Sequence, residues 1–131
     1  RYLNWKYLHS PNMNRHIYCL RKQDRLCGFV VLESTTEIGY IVDILAESQK
    51  ALNYLIANSL KHFRKQGKNS SVFVALESNM YLNDFKSFGF IERTEKSPFY
   101  VYLDENVKDK EFFLDFQNWF ITIGDCDVES L

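Results

Sequence analysis

The residues best placed to do chemistry lie where a predicted strand passes into a predicted helix. Residues 39–45 read GYIVDIL, an apolar run typical of a buried strand, and an amphipathic pattern starts at Gln49. The N-terminus of a helix offers unpaired N–H groups and the positive end of the helix dipole, so it attracts phosphate groups. The spacing therefore indicates a phosphate-binding turn at residues 46–50, AESQK, although this turn has no glycine to let its backbone approach a phosphate closely.

Glu47 is the residue of this turn that most opposes phosphate binding. A carboxylate in the first turn of a helix stabilises it by about 0.3–1 kcal/mol, so we expect Glu47 itself to satisfy the positive end of the dipole. Lys50 could offset the repulsion of a phosphate as a point charge. Two interpretations stay open: an ordinary capped helix with a solvated turn, and a degenerate phosphate cradle.

Asp43 is the residue of the preceding strand best suited to proton transfer. It lies in the sequence IVDIL, and apolar neighbours raise the pKa of a carboxyl group that is buried without a partner. Such a group can act as a general base near neutral pH. The alternative is a structural carboxylate bonded to neighbouring backbone or to an Arg or Lys side chain. The histidines and cysteines have no metal-ligand spacing, so no metal is predicted.

The elements that would position these residues form an α/β pattern. Apolar alternation and β-branched runs predict strands over 16–21, 26–33, 37–45 and 71–77. An apolar stripe predicts a helix over 49–66 that Gly67 ends. The other predicted elements are a helix over 1–10, a short helix from 78 or 79 to 88, a closing hairpin over 90–94 and 98–103, and a helix over 109–120.

Composition narrows the class of protein. The chain has 131 residues, the usual length of one domain, with sixteen basic and seventeen acidic residues. This balance gives no support to nucleic-acid binding, and no apolar run approaches the ~20 residues of a membrane span. We therefore expect neither a nucleic-acid partner nor a membrane. The three cysteines are typical of reduced thiols, which predicts a cytoplasmic protein.

The order of these elements resembles the GCN5-related N-acetyltransferase (GNAT) superfamily. It covers about residues 14–103 and includes Asn79 ahead of Phe88-Gly89-Phe90. The resemblance implies an α/β (α+β) fold, with a mixed, mostly antiparallel central sheet flanked by helices and a C-terminal helical extension. It implies a GNAT-like domain over 1–103, without the N-terminal strand and helix of the standard fold. Residues 104–131 would be an extension packing on the same domain.

A narrower resemblance extends over nearly the whole chain. It is carried by WKY at 5–7 ahead of Pro11, GFVVL at 28–32, IVDIL at 41–45 and NWFITIGDCD at 118–127. This set looks like the C-terminal half of a bacterial acetyltransferase-like protein of roughly double size. The match implies that an N-terminal half is missing here.

The resemblance implies acetyl-CoA, or another acyl-CoA, as co-substrate at the strand–helix junction. It assigns to the cofactor Ile44, Leu45, Ala46, Ser48, Gln49, Lys50, Ala51 and Asn79. The superfamily's cradle reads [QR]-x-x-G-x-[GA], and neither register of this turn restores its glycine. The tyrosine that the superfamily uses to protonate the leaving thiolate falls on Phe85 or Lys86, which carry no phenol. Asp43 is the candidate base, and Glu37 near the start of the same predicted strand is the alternative.

Three functions follow from these observations. The first is an acyl-CoA-dependent N-acyltransferase that acts on an unidentified amine. The second is a non-catalytic half that supports or shapes the substrate side of a partner domain, and the third is a binding module that reuses the fold. The expected partner is a small-molecule amine or an upstream domain of the same protein. Aromatic residues exposed by a missing half could also drive homo-oligomerisation.

Overall fold

The structure is a computed structural model that describes residues 6–7, 15–93, 100–103 and 106–125. It divides into two compact units, which are described one at a time. The first unit comprises Arg1–Val74 with Thr122–Leu131, and the second comprises Ala75–Ile121. The boundary predicted between residues 103 and 104 stays a prediction.

The first unit is built on a four-stranded sheet in the order β1-β2-β3-β4. The strands are β1 (His16–Lys22), β2 (Arg25–Ser34), β3 (Ile38–Ala46) and β4 (Ser70–Phe73). β1 pairs with β2 and β2 with β3 in antiparallel fashion, whereas β3 and β4 are parallel. The predicted mixed, mostly antiparallel sheet flanked by helices is therefore confirmed.

A long helix, α1 (Gln49–Lys65), connects the two parallel strands, as such a crossover requires. Its buried side chains lie on one face, as the apolar stripe predicts, and they are Ala51, Leu52, Leu55, Ile56, Ser59 and Phe63. The helix ends as predicted, because Gly67 takes a left-handed φ of +71° directly after the C-cap. This face packs on the sheet at two strand glycines, Gly28 and Gly39.

A bulge in β3 decides where Asp43 points. Val31 of β2 lies opposite Asp43, but its neighbour Leu32 lies opposite Ile41, so Val42 is an extra residue on β3. The extra residue reverses the alternation of β3, which places Val42 and Asp43 on the same face of the sheet, away from α1. Without the bulge, Asp43 would face α1 with Ile41. That opposite face carries a buried cluster made of Tyr7, Phe29, Val31, Val42 and Ile123.

The contact of β1 with α1 includes a histidine whose charge opposes folding. Tyr18 Oη lies 2.8 Å from His62 Nδ1, and the ring of His16 lies 5.1 Å from that of His62. Burial, the neighbouring His16 and two lysines lower the pKa of His62 below its usual value of 6.5. The unfolded chain therefore binds this proton more readily than the folded chain does.

We expect the free energy of unfolding to decrease as the pH falls below 6.5, because His62 then takes up a proton more readily in the unfolded chain. The contribution of neutral His62 is complete above the unfolded pKa of 6.5 and is lost as pH falls through the lower folded pKa. In His62→Gln, the free energy of unfolding should decrease less between pH 8 and pH 5 than it does in the wild type. Urea midpoints across that range measure the effect, and parallel pH dependences in the two proteins would contradict it.

The second unit contains two short helices, α2 (Leu82–Ser87) and α3 (Lys110–Leu114). Gly89 follows the C-cap of α2 with a φ of +90°, a left-handed conformation that suits glycine and ends the helix. The single helix predicted over 109–120 is wrong. The chain is extended at Asp115, whose side chain accepts a hydrogen bond from Gln117 N–H and starts a separate 3₁₀ turn over Phe116–Asn118.

Three other predicted elements do not match the described structure over their full length. The fourth strand stops at Phe73 rather than at residue 77, and its side chains are half-exposed rather than covered on both faces. The closing hairpin is not formed in its described parts, because residues 90–93 and 100–103 have no strand pairing, and residues 94–99 lie outside the described residues. The helix predicted over 1–10 lies outside them too, except for Lys6 and Tyr7.

Candidate functional site

The end of β3 extends beyond its parallel partner. β4 accompanies β3 only over Ile38–Ile41, whereas β3 continues to Ala46 before α1 begins at Gln49. On its other side β3 is paired with β2 to the end, where Ala46 lies opposite Gly28. Among the described strands, the last part of β3 is paired with β2 but not with β4, and it leads directly to the N-terminus of α1.

The turn between β3 and α1 is ordered by backbone and side-chain bonds. Glu47 N–H donates to Cys27 O at 3.0 Å. Ser48 is the N-cap, and its hydroxyl accepts from Ala51 N–H at 3.3 Å. These bonds fix the direction in which the N-terminus of α1 points.

The expectation that Glu47 occupies the first turn of the helix is wrong. It precedes the N-cap Ser48, and the first turn of α1 contains no acidic residue. Its carboxylate instead accepts a hydrogen bond from Arg25 Nη2 at 3.0 Å. The charge that was expected to repel a phosphate therefore has a cationic neighbour, although this pair is exposed and weak.

The residues assigned to the cofactor differ in what they can offer a ligand. Ile44 and Ala51 are buried at 0% and 6% exposure, so their side chains offer a ligand almost no surface, and Ala51 N–H is already bonded to Ser48 Oγ. Leu45 is 49% exposed, and Ser48, Gln49 and Lys50 are exposed as well. The Gln49 amide donates to Asn53 Oδ1 at 3.1 Å, which turns it along the helix.

Asn79 belongs to the second unit and carries an unsatisfied donor. Its side chain is 6% exposed, and its Oδ1 accepts from Tyr81 N–H at 2.9 Å. Its Nδ2 is buried and has no hydrogen-bond partner within the described part of the chain. A buried donor that makes no hydrogen bond costs about 1–3 kcal/mol of stability, so this nitrogen is suited to an acceptor atom of a ligand.

No side chain at the expected position of α2 presents a phenol. Phe85 is buried and packs edge-to-face on Phe90, while Lys86 Nζ donates to Glu92 Oε2 at 3.0 Å. Tyr81, one turn earlier, is 7% exposed and packs on Phe120. The residue that would protonate a leaving thiolate in the superfamily thus has no equivalent in α2.

Asp43 lies at the centre of a hydrogen-bonded group on the sheet face away from α1. Tyr7 Oη donates to its Oδ2 at 2.6 Å, and Thr122 Oγ1 lies 3.5 Å from its Oδ1. Thr122 N–H donates to Asp125 Oδ2 at 3.0 Å, and Lys6 Nζ donates to Asp125 Oδ1 at 2.6 Å. The group links the start of the described chain to its end across β3.

Burial sets the protonation behaviour of this group. It raises the pKa of Asp43, while the bond from Tyr7 and the charge of Lys6 oppose the rise. Burial also raises the pKa of Tyr7, and its bond to Asp43 adds to that shift, so the phenol stays protonated and donates. Burial alone would raise the pKa of Asp125, but the bonds from Lys6 and Thr122 outweigh it and the pKa falls.

These partners of Asp43 could not be recognised individually from the sequence. Tyr7 is 36 residues away along the chain and Thr122 is 79 residues away, so no local pattern joins them. Each nevertheless lies in one of the short sequences that carry the narrower resemblance, WKY and NWFITIGDCD. The sequence signal for this group is therefore the joint presence of WKY, IVDIL and NWFITIGDCD, because residues of the first and third contact the aspartate of the second.

The described residues contain neither a candidate metal site nor a helix that could span a membrane. No group of three His, Cys, Asp or Glu side chains there could hold a metal ion. No described helix has both the length and the apolar character needed to cross a membrane.

The fold matches that of acetyltransferases of known structure. An aminoglycoside acetyltransferase from an uncultured soil metagenomic sample, in complex with sisomicin, superposes with a TM-score of 0.57 at 16% identity, over 72% of this chain and 69% of that one. The aminoglycoside N-acetyltransferase AAC(6')-Iy in complex with CoA gives 0.53 at 13% identity, over 67% and 75%. A probable acetyltransferase gives 0.54 at 17% identity, over 70% of each chain.

The chain therefore has the GNAT fold, as its order of elements predicts. No protein-family model matches the sequence, and no curated protein matches it. Identities of this size establish the fold alone. Whether the chain is the C-terminal half of a longer protein stays a prediction.

Proposed function

We propose that this chain is an acyl-CoA-dependent N-acyltransferase domain that binds acetyl-CoA where β3 meets α1. The observation that carries the proposal is the end of β3, which β4 does not accompany beyond Ile41 and which leads directly to the N-terminus of α1. A strand edge beyond its last sheet partner can bond the amides of an extended ligand. The pantetheine arm of acyl-CoA is extended and carries amides.

The start of α1 supports binding of the CoA phosphates even though its turn contains no glycine. The N-terminus of this 17-residue helix carries a partial positive charge, and exposed Lys50 adds a full one. The pairing of Glu47 with Arg25 reduces the repulsion that Glu47 would exert. Side-chain charge would thus supply part of what backbone N–H groups supply in a glycine-rich cradle.

Asn79 lies in the second unit. Its buried Nδ2 is a donor without a described acceptor, so it is suited to an acceptor that a ligand supplies. Its assignment to the cofactor stays a prediction from the resemblance.

Asp43 is the proposed base of the reaction. The bound thioester supplies the acyl group, and an amine must lose a proton before or while it attacks. Burial raises the pKa of Asp43 toward the range in which a carboxylate accepts a proton usefully. Asp43 lies three residues before Ala46, about 10 Å along an extended strand from the end of β3.

Acetyl-CoA should raise the melting temperature of the chain, because a ligand that binds only the folded state stabilises it. At a concentration 100 times Kd the gain is about 2.7 kcal/mol, which amounts to several degrees for a domain of this size. Lys50→Glu should abolish most of the rise, since it reverses the charge next to the phosphates. Differential scanning fluorimetry with millimolar acetyl-CoA measures both effects.

A matched variant makes this experiment specific. Lys61→Glu makes the same change of charge at an exposed position further along α1, and it should leave the rise intact. A wild-type chain that acetyl-CoA does not stabilise would contradict the proposal.

The absence of a phenol in α2 favours a second candidate, a non-catalytic half that shapes a partner domain. Phe85 and Lys86 occupy the position that supplies the thiolate's proton in the superfamily. Release of free CoA from acetyl-CoA, followed with a thiol reagent, separates the two candidates. Because one similar structure holds sisomicin, aminoglycosides belong with small amines and lysine peptides among the acceptors to test. Binding without turnover of any acceptor would favour the non-catalytic half.

A further inference from the structure

The hydroxyl of Tyr7 is buried and makes a short hydrogen bond to a carboxylate. The side chain is 1% exposed within the cluster on the sheet face away from α1. Its hydroxyl donates to Asp43 Oδ2 at 2.6 Å, a short bond of the charge-assisted kind. Such a bond to a carboxylate fixes the orientation of that carboxylate.

Gly124 makes room for this hydroxyl. A Cβ atom at position 124 would lie 2.5 Å from Tyr7 Oη and 3.1 Å from Val42 O. Any larger residue would therefore push the phenol away from Asp43. Glycine at position 124 therefore leaves the space that the hydroxyl of Tyr7 occupies.

The second oxygen of Asp43 is held much less firmly. Thr122 Oγ1 lies 3.5 Å from Asp43 Oδ1 and 3.3 Å from Asp125 Oδ2. A hydroxyl has one proton and cannot donate to both carboxylates at once. The carboxylate also has a hydrogen bond with the backbone of Ile44. Among its side-chain contacts, Tyr7 fixes Oδ2 at short range, so Oδ1 is the oxygen that side chains engage less.

We propose that Tyr7 is a positioning residue that holds Asp43 Oδ2 so that Oδ1 takes the proton of the acceptor amine. This inference rests on the proposed function. In the step, directly or through one water, an N–H bond of the amine breaks and an O–H bond forms at Oδ1. The electron pair left on nitrogen then attacks the thioester carbonyl.

Several charged groups face this pair. Lys6 and Asp125 lie at the edge of the group and bond to each other. Arg15 lies over the ring of Tyr7, with its guanidinium carbon 5.4 Å from the ring centroid, and it pairs with Glu33. Tyr7→Phe keeps the ring beside Arg15 and removes the hydroxyl together with both of its bonds, to Asp43 Oδ2 and to Lys6.

The test compares three variants of the full chain. Tyr7→Phe removes the hydroxyl and keeps the ring, whereas Gly124→Ala displaces the hydroxyl by steric contact. Tyr40→Phe is the control, because Tyr40 packs against the same cluster but takes no part in the hydrogen bonds of Asp43. The readouts are the ¹³C NMR titration of the Asp43 carboxyl, assigned with Asp43→Asn, and the pH profile of acetyl-CoA turnover.

We expect Tyr7→Phe and Gly124→Ala to raise the pKa of Asp43 and to move the acid limb of the rate profile to higher pH. A misplaced base should also lower the rate by about 10- to 100-fold. Tyr40→Phe should match the wild type in both readouts. An unmoved Asp43 titration, or an unmoved acid limb, would overturn the inference.

A failure of the proposed function gives a different result. If the wild-type chain turns over no amine, the catalytic role of Tyr7 is overturned with the proposed function. The NMR titration needs no turnover, so a shift seen there would assign the Tyr7–Asp43 bond to stability alone.

Discussion

Gly39→Ala should lower the free energy of unfolding by about 2–3 kcal/mol, because over-packing of a closed contact is costly. A Cβ atom at position 39 would lie 2.3 Å from Cγ and Cδ1 of Phe63. Phe63 is 1% exposed near the end of α1, so its ring has no room to withdraw. The extra methyl group must push α1 away from β3.

Two other glycines provide the comparison for this prediction. Gly67→Ala places a side chain at a φ of +71° with open space around it, so it should cost about 1–2 kcal/mol through backbone strain alone. At position 28 a Cβ atom would meet Leu45 O at 2.8 Å and the flexible end of Leu55 at 3.0 Å. We expect Gly28→Ala to be less costly than Gly39→Ala.

A double-mutant cycle shows whether Phe63 is the cause. Phe63→Leu removes ring atoms that the new methyl group would meet, so Gly39→Ala should cost less in that background than in the wild type. Urea unfolding at constant m-value gives the four free energies. Strictly additive losses would contradict the predicted contact.

The main helix could be predicted from sequence because all its signals are local. Its apolar residues recur within a few positions, and Gly67 ends it by supplying a conformation that other residues adopt at a cost. The three antiparallel strands are likewise short alternating runs joined by short turns. Such features need no knowledge of the rest of the chain.

The setting of Asp43 could not be predicted in the same way. Strict alternation along β3 places Asp43 on the same face as Ile41, toward α1, and only the bulge at Val42 turns it to the opposite face. A bulge arises from the pairing of two strands, and the residues IVD do not reveal it. The partners Tyr7 and Thr122 come from distant segments for the same reason.

The wrong predictions in the second unit have a related cause. Residues 100–103, YVYL, have the composition of a strand, yet a strand forms only where another strand pairs with it. Tyr100 and Tyr102 are 84% and 90% exposed, so no described element covers them. Local propensity favours a conformation there without supplying the partner that would stabilise it.

Asp43→Asn is expected to have the largest effect on activity and little adverse effect on stability. The amide keeps the size of the side chain, accepts from Tyr7 Oη and can donate toward Thr122 Oγ1. It cannot accept the proton of an amine. If Asp43 is the base, turnover should fall by about 100- to 10,000-fold.

The stability of the Asn variant should differ from that of the wild type in its pH dependence. Because burial raises the pKa of Asp43 above the unfolded value of 3.8, the folded chain binds this proton more tightly than the unfolded chain does. The contribution of protonated Asp43 is therefore complete below pH 3.8 and is lost as pH rises through the folded pKa. Asp43→Asn removes this loss, so the stability of the variant should gain on that of the wild type as the pH rises above 3.8.

Two further variants separate the base from a structural carboxylate. Asp43→Leu leaves the buried hydroxyl of Tyr7 without an acceptor and should cost about 1–3 kcal/mol of stability, which Asp43→Asn avoids. Glu37→Gln removes an exposed carboxylate near the other end of β3 and should keep full turnover. Urea unfolding and acetyl-CoA turnover, each measured from pH 5 to pH 8, decide between the roles. Full turnover by Asp43→Asn would show that the buried carboxylate is structural and that the proton is taken elsewhere.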